Sequence, residues 1–444
     1  MEPFLKKLEL ALGQFPVMAD TPCLDVAFSG GLDSTVLLTA LTRLELGTPV
    51  RALHIDHGLH PDSGSWAQHC RQIAAELGVT FESRQVEIHN ARGRSLEASA
   101  REVRYATLSE MMEPGALLVT AHHSDDQLET VLLRLLRGSG VKGMRGITPL
   151  APFGPGHLGR PMLTMSKAEI QDIGKDWGLS WVEDPTNLDS RFDRNYLRQE
   201  IVSRLQLRWP SAAVTAGRAA RQMTDAQEIL DSVALEDSAC IETAGRISQP
   251  YLRGLSAARR ANLLRYLILK VGLPVPSAKQ LKELLAAIDV TRPDAQTQVQ
   301  WPGGEARIFR GQLYLFRPMA PCSGPDYRGS LNHGNSWQGP EGRLELCRTD
   351  GPGLPHSWAQ HGLTVRFRGG GERFKPLEEG HTRKLKKWLQ LAGVVPWMRA
   401  RIPLLYRDST LVAVGDLWLS DQVRQTEAGG SAWRVDWSDH PPIN

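Results

Sequence analysis

The chain has 444 residues, 41% hydrophobic and 23% charged, with a formal net charge of +3, the composition of an ordinary globular protein with room for two or three cores. No apolar run approaches the roughly 18 residues of a membrane span, and Met1-Glu2-Pro3-Phe4-Leu5-Lys6-Lys7 lacks the apolar core of a signal peptide. Cys23, Cys70, Cys240, Cys322 and Cys347 are scattered and form no CxxC pair, which argues against structural zinc, an iron–sulfur site or a disulfide framework and suits a reducing cytoplasm.

The first predicted strand, Leu24-Asp25-Val26-Ala27-Phe28, runs into Ser29-Gly30-Gly31-Leu32-Asp33-Ser34, and a helix follows from about Ser34 to Leu46. Two glycines allow a tight turn, and the helix start aims its free amides at the same volume. That arrangement is an anion nest suited to pyrophosphate. The hydroxyls of Ser29 and Ser34 add donors, and Asp33 is placed to hold a metal carried by a polyphosphate. The loop is not of the Walker type, because no lysine follows the glycines, and it lacks the G-x-G-x-x-G spacing of dinucleotide sites. An inert tight turn is the alternative, and Asp33 with two serines weighs against it.

The same theme repeats downstream. Val50–Ile55 reads as strand two, followed by a helix from Gly64 to Leu77. Val79–Ser83 is strand three, before a helix over Leu96–Glu110 with Arg101, Arg104 and Tyr105 near its middle. Ala116–Thr120 is strand four, and its helix covers Asp125–Leu136. Such alternation predicts a parallel sheet covered on both faces, with ligands at the carboxyl ends of the strands.

Four polar clusters fall in this region. His54-Ile55-Asp56-His57-Gly58-Leu59-His60 fits a nucleotide edge or plain loop structure better than a transition-metal site. In His122-His123-Ser124-Asp125-Asp126-Gln127-Leu128-Glu129-Thr130, Asp126 and Glu129 share one face of the first helical turns. Two carboxylates suit Mg²⁺ or a substrate ammonium, although acids there are also ordinary capping, and spacing alone does not rank Asp126 above Asp125. Gly138–Gly146 is a glycine-rich basic loop, either a plain loop or one able to order over a substrate. Glu183–Asn187 leads to a helix over Phe192–Leu205, whose Arg194 and Arg198 can grip a phosphate or form a solvated basic face.

From about Pro210 the pattern turns helical over Arg218–Ala234, Leu255–Leu269 and Ser277–Ala287. A hairpin follows around Gly311. Pro318–Pro340 is dense in Pro, Gly, Ser and Asn, and the tail suggests a small strand-rich domain with one helix near Thr382–Leu391. The expected organisation is α/β for 1–210, mainly helical for 211–318, linker for 319–341 and α+β for 342–444. Between Arg366 and Arg401, ten basic residues face three acidic ones, an excess of seven that fits a phosphate-backbone footprint. Basic groups around Leu385, Trp388, Leu389 and Ala392 suit a folded nucleic acid, with a solvated helical face as the alternative.

Ser29–Ser34 resembles the signature loop of the PP-loop ATP pyrophosphatases. His54–His60, His122–Thr130, Arg160-Pro161-Met162-Leu163, Glu183–Asn187 with Arg194-Asn195, Gly371–Pro376, Arg383–Leu389, Val395-Pro396-Trp397 and Arg401–Tyr406 narrow the resemblance to the tRNA(Ile)-lysidine synthase family, over essentially the whole chain. Met162 stands where leucine is frequent in such enzymes.

The resemblance implies a parallel-sheet PP-loop domain (adenine nucleotide alpha hydrolase-like), a mainly helical middle domain and a small α+β C-terminal domain. It implies a cytoplasmic enzyme using ATP and Mg²⁺ to join free L-lysine to the wobble cytidine of isoleucine tRNA with a CAU anticodon, through an O2-adenylate. By similarity, Ser29, Gly30, Gly31, Leu32, Asp33 and Ser34 bind the phosphates, with His54 and Asp56 on the nucleotide. Asp33 and Asp126 assist Mg²⁺, and Asp126 with Glu129 receives and deprotonates the lysine ammonium. Arg194 and Asn195 face the adenylated base or its phosphate, with His123 on the substrate side. Arg373, Lys375, Arg383, Lys384, Lys386 and Lys387 hold tRNA. The rivals are a tRNA sulfur-transferase on the same nucleotide domain and a non-catalytic tRNA- or nucleotide-binding protein.

Overall fold

A computed structural model describes residues 2–58, 62–87, 96–185, 189–243, 245–290, 297–425, 432–441 and 443. They fall into two compact units, Met1–Ile229 and Leu230–Asn444.

In the first unit the chain opens with α1 (Glu2–Gly13) and then alternates β1 (Leu24–Ala27), α2 (Leu32–Arg43), β2 (Val50–Asp56), α3 (Ser63–Glu76), β3 (Thr80–Gln85), α4 (Leu96–Met111), β4 (Leu117–Val119) and α5 (Ser124–Leu136). A short α6 (Val141–Met144) sits inside the glycine-rich loop. It is followed by β5 (Leu150–Phe153), β6 (Gly156–Gly159) and α7 (Lys167–Asp176). The sheet order is β3-β2-β1-β4-β6-β5. The first five strands in that order are parallel, as expected, and β5 closes the edge antiparallel to β6.

Period-2 alternation distributes the apolar residues to two cores. Leu117 and Val119 join Val26, Ala52 and α2 on one face, while Leu118 joins Leu53, Leu108 and Leu158 on the other. Asp25, the one charge in β1, is fully buried. Arg51 on the neighbouring strand satisfies it, with Nε 2.7 Å and Nη2 2.9 Å from its two oxygens.

The helix expected over Phe192–Leu205 is composite: α8 (Asp193–Tyr196), a wide π-helical segment over Leu197–Val202, and α9 (Ser203–Arg208). Leu128 of α5, Val202 and Ala213 pack together, which fixes this segment against the start of α5. The chain passes from one unit to the other within α10 (Ala212–Ser238).

In the second unit, α11 (Gln249–Gly254), α12 (Ala257–Lys270) and α13 (Ala278–Val290) share a core with a four-stranded sheet. Its strands are β7 (Arg246–Ser248), β8 (Thr297–Trp301), β9 (Gly304–Phe309) and β10 (Gln312–Phe316), in the order β7-β10-β9-β8. The expected hairpin is there, with Phe309 opposite Gln312.

Beyond Phe316 come a five-stranded sheet, a four-stranded sheet and a two-stranded ribbon that pairs Arg373–Phe374 with Arg383–Lys384. The stretch 319–341, expected as a linker, carries two short strands, Gly329–Leu331 and Trp337–Gly339, and buries Leu331 and Trp337. Its turn-forming composition hides them, because strands of three residues leave little alternation to read. The helix Leu385–Leu391 buries Leu385, Trp388 and Leu389 as expected, while Ala392 at its end is exposed.

Candidate active site

The glycine loop has the conformation its sequence requires. Gly30 has φ +77°, and a Cβ there would stand 2.6 Å from Cys70 Sγ, so both backbone and space exclude other residues. Gly31 caps α2 in an extended conformation. Ser34 Oγ and Thr35 Oγ1 each donate to the Gly31 carbonyl at 3.0 Å, and the Ser29 and Ser34 hydroxyls lie 3.1 Å apart. The serines therefore brace the turn, at whose end the opening amides of α2 lack intrahelical partners.

His123 is the hub that joins this loop to α5. Its Nε2 stands 3.8 Å from Asp33 Oδ2 and 3.4 Å from Asp126 Oδ2, and its Nδ1 stands 3.6 Å from Asp125 Oδ2. Burial alone would lower its pKa. The contact with Asp125 and the charges of Asp126 and Asp33 outweigh that, and the ring is held above its ordinary 6.5. His122 next to it goes the other way. Burial drives it down to about 3, with Asp126 offsetting this only in part, while Thr120 Oγ1 lies 2.7 Å from its Nδ1.

The structure separates the three acids by partner. Asp125 accepts the Lys167 amide at 2.9 Å and the Gln206 side-chain amide, so it ties α5 to α7 and α9. Burial raises its pKa, and the bonds from His123, Lys167 and Gln206 more than reverse that, holding it well below the usual carboxylate range. Asp126 accepts the His123 backbone N–H at 3.0 Å, which is capping, and also binds Arg194 Nη2 at 2.9 Å. Burial raises Asp126 too, but His123 and Arg194 hold it low.

Glu129 is fully committed. Arg194 Nε is 2.7 Å from one oxygen, and Arg198 places Nε 2.6 Å from the other and Nη2 3.0 Å from the first. The i, i+4 arginines thus grip the carboxylate pair, where the resemblance puts Arg194 on the base or its phosphate. For Arg198, burial works against the charge, and the bond to Glu129 outweighs it and raises the pKa.

A cationic wall completes the neighbourhood of His122. Arg101 and Arg104 stand 5.0 and 5.4 Å over the Tyr105 ring, and Arg160 Nη1 donates to the Thr148 carbonyl at 2.8 Å. Burial lowers the pKa of both Arg104 and Arg160. Gathered guanidiniums of this kind suit phosphate.

Other expected residues are placed differently. His54 is 6% exposed, its Nδ1 is 2.8 Å from the Phe28 carbonyl, and its ring stacks on Phe81. It therefore braces the residue entering the glycine loop. Asp56 accepts the Gly58 amide at 2.9 Å, and Asn195 donates to the Asp189 carbonyl at 3.0 Å, so each holds its own turn. Leu59, His60, Thr186 and Asn187 lie outside the described residues. In the second unit Arg373 stands directly opposite Lys384 in the ribbon, and Lys386 and Lys387 are exposed. Arg383 lies 5.0 Å over Trp388, while Lys375 is paired with Asp421 at 3.0 Å.

Three family models match this chain: the PP-loop domain over residues 4–205, the TilS substrate binding domain over 248–314 and the TilS substrate C-terminal domain over 363–437. A tRNA(Ile)-lysidine synthase of Xanthomonas campestris pv. campestris is 38% identical over 439 residues, 98% of this chain and 99% of its own length. The chain belongs to the tRNA(Ile)-lysidine synthase family. Similar lysidine synthases include that of Alkalilimnicola ehrlichii, 40% identical over 396 residues (88% and 89% of the two chains). That of Methylococcus capsulatus is 36% identical over 409 residues (89% and 92%).

Within this lysidine synthase fold, sequence reading misses Lys167 and Gln206. A signal for Lys167 is present. Ser166-Lys167-Ala168-Glu169 is a capping box, and a lysine at the first position of a helix opposes its dipole unless an anion is close. Here Lys167 Nζ is 2.6 Å from Asp33 Oδ1.

Proposed function

We infer that this chain is an ATP-dependent ligase joining free L-lysine to C2 of the wobble cytidine in isoleucine tRNA with a CAU anticodon. In this reading cytosine O2 attacks the α-phosphorus of ATP. An O2–P bond forms, the bond to the β-phosphate oxygen breaks, and pyrophosphate leaves with the electron pair. The side-chain amine of lysine then attacks C2, AMP departs with O2, and lysidine remains. The observation carrying this is the shared imidazole: Asp33 of the pyrophosphate turn and Asp126 of the carboxylate pair both face His123, at 3.8 and 3.4 Å.

The residues divide the work. The amides opening α2 receive the phosphates, and the arginines near His122 meet the phosphate of the nucleotide or of the tRNA backbone. Asp126 and Glu129 receive the lysine ammonium and take its proton. Arg194 and Arg198 must yield first, and a bound adenylate phosphate is the anion able to draw them away. Residues 211–318 and 342–444, with the basic ribbon, hold the tRNA.

Among the described residues, no three His, Cys, Asp or Glu converge as a metal cage. Asp33, with its side chain 30% exposed, fits the one- or two-carboxylate hold typical of Mg²⁺ bound to a polyphosphate, and Asp126 is the nearest second candidate. Such an ion supplies charge neutralisation on the phosphates. All five cysteines are free, which suits the reducing cytoplasm where we place the reaction, and no described helix is long and apolar enough to cross a membrane.

The sulfur-transferase reading finds little support. Cys70 and Cys23 are buried, and burial pushes their thiols up to about 12 and about 11, so neither is a ready thiolate. Incubation with ATP, CAU tRNA and labelled lysine should leave label on one cytidine-derived nucleoside after digestion. Label transfer from other amino acids, or none from lysine, would reject the reading.

A further inference from the structure

We propose that Lys167 supplies the cation that the glycine loop lacks, binding the pyrophosphate as it leaves. This rests on the adenylation step inferred above and adds a residue to it.

The loop carries no lysine of its own, yet an ammonium stands beside it. Lys167 Nζ lies 2.6 Å from Asp33 Oδ1, in the first turn of α2. Three features hold it there. Ser166 and Glu169 form a reciprocal cap, with Ser166 N donating to Glu169 at 2.8 Å and Glu169 N donating to Ser166 Oγ at 3.2 Å. The Lys167 amide donates to Asp125 at 2.9 Å, fixing the start of α7 against the start of α5. Gly174, one face along the same helix, lets α7 approach α2 so closely that a Cβ there would stand 2.6 Å from Leu32 Cδ1.

The position is costly without an anion, because the α7 dipole repels a positive charge at its first residue. Asp33 offsets one charge. When the phosphates occupy the nest, the ammonium and the α2 amides face the same anion. Lys167 and Asp33 keep 37% and 30% of their side chains exposed and can exchange partners. As the bond from the α-phosphorus to the bridging oxygen breaks, negative charge grows on the departing group, and a cation there lowers that barrier.

The test uses the full-length enzyme with ATP and CAU tRNA, without lysine, following pyrophosphate release. Lys167→Met should slow release about 100-fold at saturating ATP, and Lys167→Arg should recover part of it. Inhibition by added inorganic pyrophosphate should weaken about tenfold in Lys167→Met, and raising Mg²⁺ should not restore the rate. A wild-type rate in Lys167→Met overturns the proposal. So does a loss restored by Mg²⁺ with pyrophosphate inhibition unchanged, since that is the signature of Lys167 merely holding Asp33. Absence of tRNA-dependent release in the wild type would instead remove the adenylation reading itself.

Discussion

Arg194 Nε lies 2.7 Å from Glu129 Oε2, and that glutamate side chain is only 1% exposed. With Arg198 on the other oxygen, the acid is shielded from any incoming amine until the arginines move. Glu129→Ala leaves two guanidiniums without their main partner. It should cost about 3 kcal/mol of stability, the low end for a broken buried pair, because both arginines reach solvent. Urea unfolding measures that cost. The same variant should raise the KM for lysine, and an unchanged lysine KM would remove Glu129 from amine binding.

Gly30→Ala should be harmful twice over. The left-handed backbone costs about 1–2 kcal/mol with any Cβ, and the added carbon collides with Cys70 Sγ. Pairing it with Cys70→Gly relieves the collision and not the backbone, so thermal stability should recover in part and pyrophosphate release should stay low. Cys70→Ser alone should still form lysidine. Loss of that product with sulfur transfer in the parent enzyme would favour the sulfur-transferase.

His122 and His123 should titrate in opposite directions in an NMR titration. His122 stays neutral down to about pH 3, because burial penalises its cation. His123 stays protonated above its ordinary 6.5, because three carboxylates surround it. A raised histidine pKa stabilises the fold fully below the unfolded value and loses that contribution as pH rises through the folded value. The melting-temperature gap between wild type and His123→Gln should therefore be widest below pH 6.5 and narrow at alkaline pH. A gap that widens with pH would show that the ring is neutral.

Arg373 opposite Lys384 is an unfavourable cross-strand pair unless an anion lies over it. Replacing Lys384, Lys386 and Lys387 with alanine should weaken tRNA binding most at low salt. The slope of log affinity against log salt should become shallower by about 2 to 3. An unchanged slope would separate the ribbon and the helix that follows it from the RNA backbone.

Much of the nucleotide domain is legible in the sequence because β1, β2 and β4 are short apolar runs, each followed by a polar turn and a long helix. The glycine loop is legible for the same reason, and Gly30 has one conformation to offer. The β5–β6 hairpin is hidden because Pro152, Gly156 and Gly159 depress strand signal. Asp126 and Glu129 can be paired by spacing, but their arginine partners lie 65 to 72 residues away and no local pattern reports that contact. Lys167 is harder still, reaching Asp33 across 134 residues, and only its awkward place at a helix start hints at it. His54 reads in the sequence as a nucleotide contact, and only the register of β2 shows its ring against the Phe28 carbonyl and Phe81.

The two half-reactions can be separated at the two ends of the His123 bridge. With ATP and CAU tRNA, pyrophosphate release and lysine incorporation are followed together in Asp33→Asn and Glu129→Gln. Asp33→Asn should abolish both, and Glu129→Gln should release pyrophosphate while failing to incorporate lysine. Full lysine incorporation by Glu129→Gln, or normal pyrophosphate release by Asp33→Asn, would mean that the loop and the acidic helix start do not serve one reaction.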